Sequence, residues 1–164
     1  MSQPVAQFAG QALYLDTMIP YALLRGIDGN AQTLFERIQS GSIEAYTSAL
    51  MFDELAYRLI LAMIRDAYPG SPLEHLRDEE ERMIKQFYPV IAPQLLQVRH
   101  FPHLTIIEVT AADIDAMNAT ILQYAVKPRD SLHVAAMQKC GCLDLVSQDA
   151  DFDRIPFIRR YTLS

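Results

Sequence analysis

The stretch Pro128-Arg129-Asp130-Ser131-Leu132-His133-Val134-Ala135-Ala136, followed by Gly141 and then by Leu145-Val146-Ser147-Gln148-Asp149-Ala150-Asp151-Phe152, decides how this chain folds. A largely apolar helix is predicted from about Asp130 to Lys139, and Gly141 suits the left-handed position that closes a helix. Leu143 to Ser147 reads as a short buried strand. A helix leading at once into a buried strand is half of a βαβ crossover, the unit that builds parallel sheets. Two acids frame the unit: Asp130 opens the helix and Asp149 follows the strand.

The rest of the chain repeats this alternation. Residues 11–16 form a predicted buried strand that ends at Asp16. Helical segments follow at 18–26 and 31–39, separated by the turn-forming Asp28-Gly29-Asn30. A second strand is predicted at 43–48, then a helix from Ala49 to about Ala67 with Ser48 or Thr47 as cap. Tyr68-Pro69-Gly70-Ser71-Pro72 breaks the pattern. Helix is expected again from Leu73 to about Val98, interrupted near Pro89 and Pro93. Residues 104–109 give the clearest strand signal. Thr110 with Asp113 opens a helix to about Tyr124, and 158–163 reads as a last strand. Strands separated by helices predict an α/β fold: a three-layer α/β/α domain with a central parallel sheet, residues 1–164 forming one domain. Residues 66–100 stand out as a helical insertion or arm.

Length and composition agree with a single globular unit, since 164 residues suffice for a sizeable core. No run approaches the roughly 20 apolar residues of a membrane span, and the N-terminus has no secretory pattern, so a soluble cytoplasmic protein is expected. Cys140 and Cys142 are too few for a disulfide framework or a zinc site and read as a helix-end thiol and a buried strand thiol. The net charge of −6 argues against a nucleic-acid partner only weakly. Asp16, Glu54, Asp130, Asp149 and Asp151, if gathered in one metal site, carry five of those six charges, and bound cations reverse the local sign.

That gathering is the functional expectation. A parallel sheet lines up the carboxyl ends of its strands along one edge, where ligand sites form. Asp16 and Asp149 follow strands, Asp130 lies in the first turn of a helix, and Glu54 lies early in another. Acids so collected repel one another unless a cation sits among them, and magnesium-class ions take carboxylate oxygens. Asp149 also reads as the N-cap of a short helix. Asp153 reads as a salt-bridging surface residue, and Asp53 points about 100° away from its neighbour Glu54 on a helix.

Four stretches carry a family resemblance: Leu13-Tyr14-Leu15-Asp16-Thr17, Thr47-Ser48-Ala49 through Glu54-Leu55, Pro128 to Ala136, and Leu145 to Phe152. In this order they resemble a PIN-domain protein, similar to the toxin ribonucleases of bacterial and archaeal toxin–antitoxin pairs. The resemblance implies a Mg2+- or Mn2+-dependent endoribonuclease with Asp16, Glu54, Asp130 and Asp149 as the acidic quartet and Asp151 as a further metal ligand. Two departures are a Met18 where family members often carry Asn, and a 66–100 segment longer than in compact toxins.

The expected chemistry is metal-assisted phosphodiester hydrolysis of an RNA substrate. Glu54 would hold a water or act as base. Thr17, Ser147 and Arg129 are candidates for positioning the phosphate, with Arg58, Lys127 and Arg154 as further backbone contacts. His133, inside an apolar helix, reads as a satisfied packing histidine, and His100-Phe101-Pro102-His103 as loop. Apolar residues along 49–64 and 83–98 exceed what one sheet face needs, so a homodimer is expected, with an antitoxin protein as a further partner. The rival reading is an inactive PIN-like binding module, which Met18 and the long arm favour. A phosphatase using Asp16 as nucleophile is disfavoured, because Met18 stands where its second Asp belongs.

Overall fold

The computed structural model describes residues 2–164. Six strands alternate with helices: β1 (Gln3–Pro4), β2 (Ala12–Leu15), α1 (Met18–Arg25), α2 (Gly29–Gln39), β3 (Glu44–Ser48), α3 (Ala49–Ala67), α4 (Pro72–Asp78), α5 (Glu80–Arg99), β4 (Leu104–Ile107), α6 (Ala112–Tyr124), α7 (Pro128–Cys140), β5 (Asp144–Val146) and β6 (Arg159–Thr162). Every strand pair is parallel, in the order β1-β6-β5-β2-β3-β4. The chain steps from β2 to β3 and β4 in one direction, then crosses back to β5 on the other flank of β2. The order therefore reverses between β2 and β5, the place where open α/β sheets form ligand sites.

Side chains alternate across β2 because a strand has a period of two. Leu13 and Leu15 pack with Ala22 of α1 and with Leu34, Phe35 and Ile38 of α2. Tyr14 faces the opposite side, with Val134 and Met137 of α7. These two layers cover the sheet as the alternation predicted.

A third cluster joins α3 to α5 through Met51, Leu55, Leu59 and Ile60 against Met83, Phe87, Ile91 and Val98. Part of the apolar surplus on 49–64 and 83–98, which suggested a second copy of the chain, is thus used within one chain, while Tyr57, Tyr88, Val90 and Leu96 stay exposed. The 66–100 segment folds as the end of α3, then α4 and α5.

Several expectations need correcting. Pro89 and Pro93 lie inside α5 without ending it. They are four residues apart on its exposed side, where water can serve the carbonyls that proline leaves unpaired, while the opposite face is fixed on α3. Ser48 occupies the N-cap position of α3 but makes no side-chain capping hydrogen bond, and the Thr47 hydroxyl donates to the Leu15 carbonyl. Thr110 is not the side-chain cap of α6: the Asp113 carboxylate accepts from the Thr110 N–H at 2.7 Å. Helix α2 starts at Gly29, because Asp28 caps it by accepting from the Asn30 N–H. Strand β4 stops at Ile107, and β1 carried no sequence signal. Cys142 is buried ahead of β5 rather than in it, and both cysteines are free.

Candidate metal centre

Asp16 is the first residue past β2, and its N–H donates to the Val146 carbonyl at the end of β5. The backbone ladder thus carries the acid beyond the sheet edge, beside the equivalent point of the neighbouring strand. Ser147, fully buried, occupies that point. Its hydroxyl donates to Asp16 Oδ2 at 2.5 Å and accepts from the Asp149 N–H at 3.0 Å. One serine therefore ties the acids after β2 and β5 together. Asp149 also caps a 3-10 turn, Ala150–Arg154, by accepting from the Asp151 N–H. Both readings of Asp149 coexist: Oδ1 caps the turn, and Oδ2 faces the cleft, where it accepts from Lys127 Nζ at 3.1 Å.

Helix α7 delivers Asp130. Gly141, at a φ of 69°, closes the helix and β5 begins at Asp144. So short a turn makes α7 run against β5, and its N-terminus returns to the edge where β5 ends. The helix dipole there favours a carboxylate. Yet burial disfavours charge, and with the neighbouring Asp149 and Asp16 it pushes the Asp130 carboxyl up to about 6, despite the opposing effect of Lys127.

Helix α3 delivers Glu54, one and a half turns past β3 and buried. The Thr17 hydroxyl donates to Oε2 at 2.7 Å, and Arg129 Nε pairs with Oε1 at 3.0 Å. Burial alone would raise its pKa; the facing His133, the Thr17 hydroxyl and Arg129 outweigh that, and the carboxyl is held below its ordinary value.

Two groups of ligand atoms result, each with members within 4.8 Å of one another: Asp16, Glu54 and His133 in one, Asp130, Asp149 and Asp151 in the other. Ser147 links the two, and the charges of Asp16 and Asp149 both reach Asp130. The chain's own cations lie among them. Lys127 Nζ is 2.8 Å from Asp151, 3.1 Å from Asp149 and 3.8 Å from Asp130, and Arg154 holds Asp151 from the other side at 2.8 Å. Asp151 and Asp149 together raise the Lys127 pKa. Arg129 bridges Glu54 and Asp53, and Asp153 pairs with Arg160, which also donates to the Ser147 carbonyl at 3.1 Å.

The residues fit a divalent cation on two counts. Carboxylate oxygens dominate the donor set, as hard ions require. Two buried polar atoms, Asp130 Oδ2 and His133 Nε2, have no hydrogen-bond partner among the described residues, although such atoms are normally paired.

Glu54, Asp130 and Asp149 open onto a cleft of about 660 Å³, lined also by Arg58, Lys127 and Arg129, with Tyr57, Leu61 and Leu73 as its apolar wall. Leu73 comes from α4, so the 66–100 segment shapes the cleft. Sequence reading missed that wall, and His133 is not the fully satisfied histidine expected. It follows Asp130 by three residues and therefore shares its helix face, a signal available in the sequence.

A family model described as PIN domain matches residues 13–158. Solved structures of similar fold include VapBC2 from Rickettsia felis bound to a DNA fragment from its promoter, with TM-score 0.55 and 14% identity over 93% of this chain and 98% of that one. Mycobacterium tuberculosis VapC20, described as a sarcin–ricin loop cleaving toxin, gives TM-score 0.57 and 17% identity over 89% of this chain and 96% of that one. A toxin–antitoxin complex from Klebsiella pneumoniae gives 0.51 and 18% over 90% and 95%. No curated protein matches the chain.

Proposed function

Since the chain belongs to the PIN domain family, we propose that it is a divalent-metal-dependent ribonuclease and the toxin of a toxin–antitoxin pair. The observation that carries this reading is the gathering of acids from β2, α3, α7 and the turn after β5 into two groups, with Glu54, Asp130 and Asp149 on a cleft that also presents Lys127, Arg129 and Arg58. The toxin half draws on the neighbours of like fold, described as toxin–antitoxin proteins. An antitoxin is accordingly the protein partner inferred.

In this reading Asp16, Glu54, Asp130, Asp149 and Asp151 hold one or two cations, Mg2+ or Mn2+. Such a cation lowers the pKa of water and offsets charge developing on the phosphate. The chain's residues do the positioning. Ser147 fixes Asp16 against Asp149, and Thr17 fixes Glu54. A carboxylate held below its ordinary pKa and already accepting from Thr17 suits ligation or water orientation better than proton abstraction, so Glu54 acts in that way. Arg129 and Lys127, both more than half exposed at their side chains, can turn from the acids to the RNA backbone as the cation enters. Binding of RNA then weakens with added salt.

The test is cleavage of mixed RNA by purified protein with and without Mn2+. Wild type should cut only with metal, and Asp16→Asn and Asp130→Asn, with folding checked by circular dichroism, should not cut. Cleavage that survives a chelator, or wild-type rates in both variants, would overturn the assignment.

A further inference from the structure

His133 is 1% exposed, and its two ring nitrogens are in unlike situations. Nδ1 lies 2.8 Å from the Tyr14 hydroxyl, with Ser48 Oγ at 3.5 Å. Nε2 has no hydrogen-bond partner at all among the described residues. The nearest acid oxygen, Glu54 Oε1, stands at 3.8 Å, too far for a hydrogen bond. Two donors sharing a cation at bonds of roughly 2.1 Å stand about 3.0–3.4 Å apart, so a side-chain shift of about half an ångström would let both reach one ion. Asp16 completes the group, with one ligand atom from each of the three residues within 4.8 Å of the others.

We propose that His133 Nε2 is a metal ligand, so that one cation of this chain binds a mixed set of Asp16, Glu54 and His133 and is a transition ion rather than magnesium. The hydrogen bond at Nδ1 provides the second half of the argument. Ligating imidazoles characteristically donate their other N–H to a polar partner, which fixes the tautomer and aims the ring. Tyr14 is placed to accept that proton, and it is fully buried at the centre of the sheet, so the ring cannot readily turn. With a cation bound, the proton sits on Nδ1 and Nε2 offers its lone pair to the ion; without one, a proton on Nε2 faces Glu54. Arg129 also meets Glu54 Oε1, but a carboxylate oxygen has two lone pairs and can serve both. Imidazole nitrogen favours first-row transition ions, whereas Mg2+ prefers an all-oxygen shell.

This inference rests on the metal-nuclease reading, and one experiment separates the two. Mn2+ is titrated into metal-free wild-type protein and the bound ion is examined by electron spin-echo envelope modulation, which detects a directly coordinated nitrogen. Nitrogen modulation that changes when histidine alone is labelled with 15N establishes the ligand; the other histidines, His75, His100 and His103, are absent from the metal-competent groups. Bound Mn2+ without nitrogen modulation overturns this inference alone. Failure of Mn2+ to bind overturns it together with the nuclease reading. No variant has to fold for this result. As a second measurement, His133→Asn keeps an atom for Tyr14 and removes Nε2. Calorimetry should show its preference for Mn2+ over Mg2+ reduced by about tenfold or more, since losing even an outer partner of a ligand costs that much. An unchanged preference in a folded variant refutes the assignment.

Discussion

Asp130→Asn should stabilise the metal-free protein while removing its response to metal. The Asp130 side chain is 15% exposed, and its Oδ2 has no hydrogen-bond partner. Burial, aided by Asp149 and Asp16, moves its pKa from 3.8 to about 6. A shift of that size corresponds to roughly 3 kcal/mol, and about 2 kcal/mol survives a discount for the remaining solvent contact. The sign follows from linkage. The folded-state value exceeds the unfolded one, so the folded protein binds more protons than the unfolded chain between about pH 4 and 6. The penalty is small at pH 4, grows as pH rises toward 6 and is nearly complete at pH 7. Asparagine never ionises and escapes it. Thermal unfolding of chelator-treated protein should therefore show the variant about 4–8 °C more stable at pH 7. At pH 4 the two should nearly coincide. Saturating Mn2+ should reverse the order, because only wild type gains stability by mass action. A variant equally displaced from wild type at both pH values would refute the reasoning, since it would tie the effect to packing and not to charge.

Ser147→Ala removes the hydroxyl that joins Asp16 Oδ2 to the Asp149 N–H; Mn2+ affinity by calorimetry should fall about 10- to 100-fold and metal-free stability by about 1–3 kcal/mol. Lys127→Met withdraws the ammonium that lies among Asp130, Asp149 and Asp151, so the metal-free protein should melt lower and Mn2+ should bind more tightly. Weaker Mn2+ binding by Lys127→Met, read from the same titration, would show that the lysine supports the cation site instead of standing in for the ion.

The layers of the fold were legible because buried strands and helix-closing glycines leave local marks. Ala12 to Leu15 is an apolar run ended by an acid, and Gly26 and Gly141 both take the left-handed conformation after a helix. Strand β1 left no mark, as two residues at a sheet edge have no period. The break expected at Pro89 and Pro93 follows from intrinsic propensity, and the packing of α5 on α3 overrides it on the buried side. The acids could be picked out as candidates because Asp16, Asp130 and Asp149 adjoin element ends and Glu54 lies in the first half of a helix. Their pairing could not: Thr17, Ser147, Lys127, Arg129 and Arg154 read as phosphate contacts, whereas here they hold the acids. Lys127 lies 22 positions from Asp149, and Arg129 lies 75 from Glu54, so only the crossover from β4 back to β5 brings them together. His133 shows the same limit: apolar neighbours in the helix suggest packing, and the empty side of Nε2 depends on where α3 runs.

Under the proposed function, the balance of charge among these acids would let the site fold without metal and still accept it. Five carboxylates, Asp16, Glu54, Asp130, Asp149 and Asp151, meet three side-chain cations, Lys127, Arg129 and Arg154, and Arg129 is shared with Asp53. At least two negative charges are left over, which one divalent ion makes good. Without the ion, the least solvated acid of the second group takes the strain, and its carboxyl is the one pushed up to about 6. Proton and cation are then alternative answers to the same deficit at Asp130. The exposed lysine and arginines hold the acids close enough to receive a cation, yet being exposed and flexible they leave at little cost when it arrives.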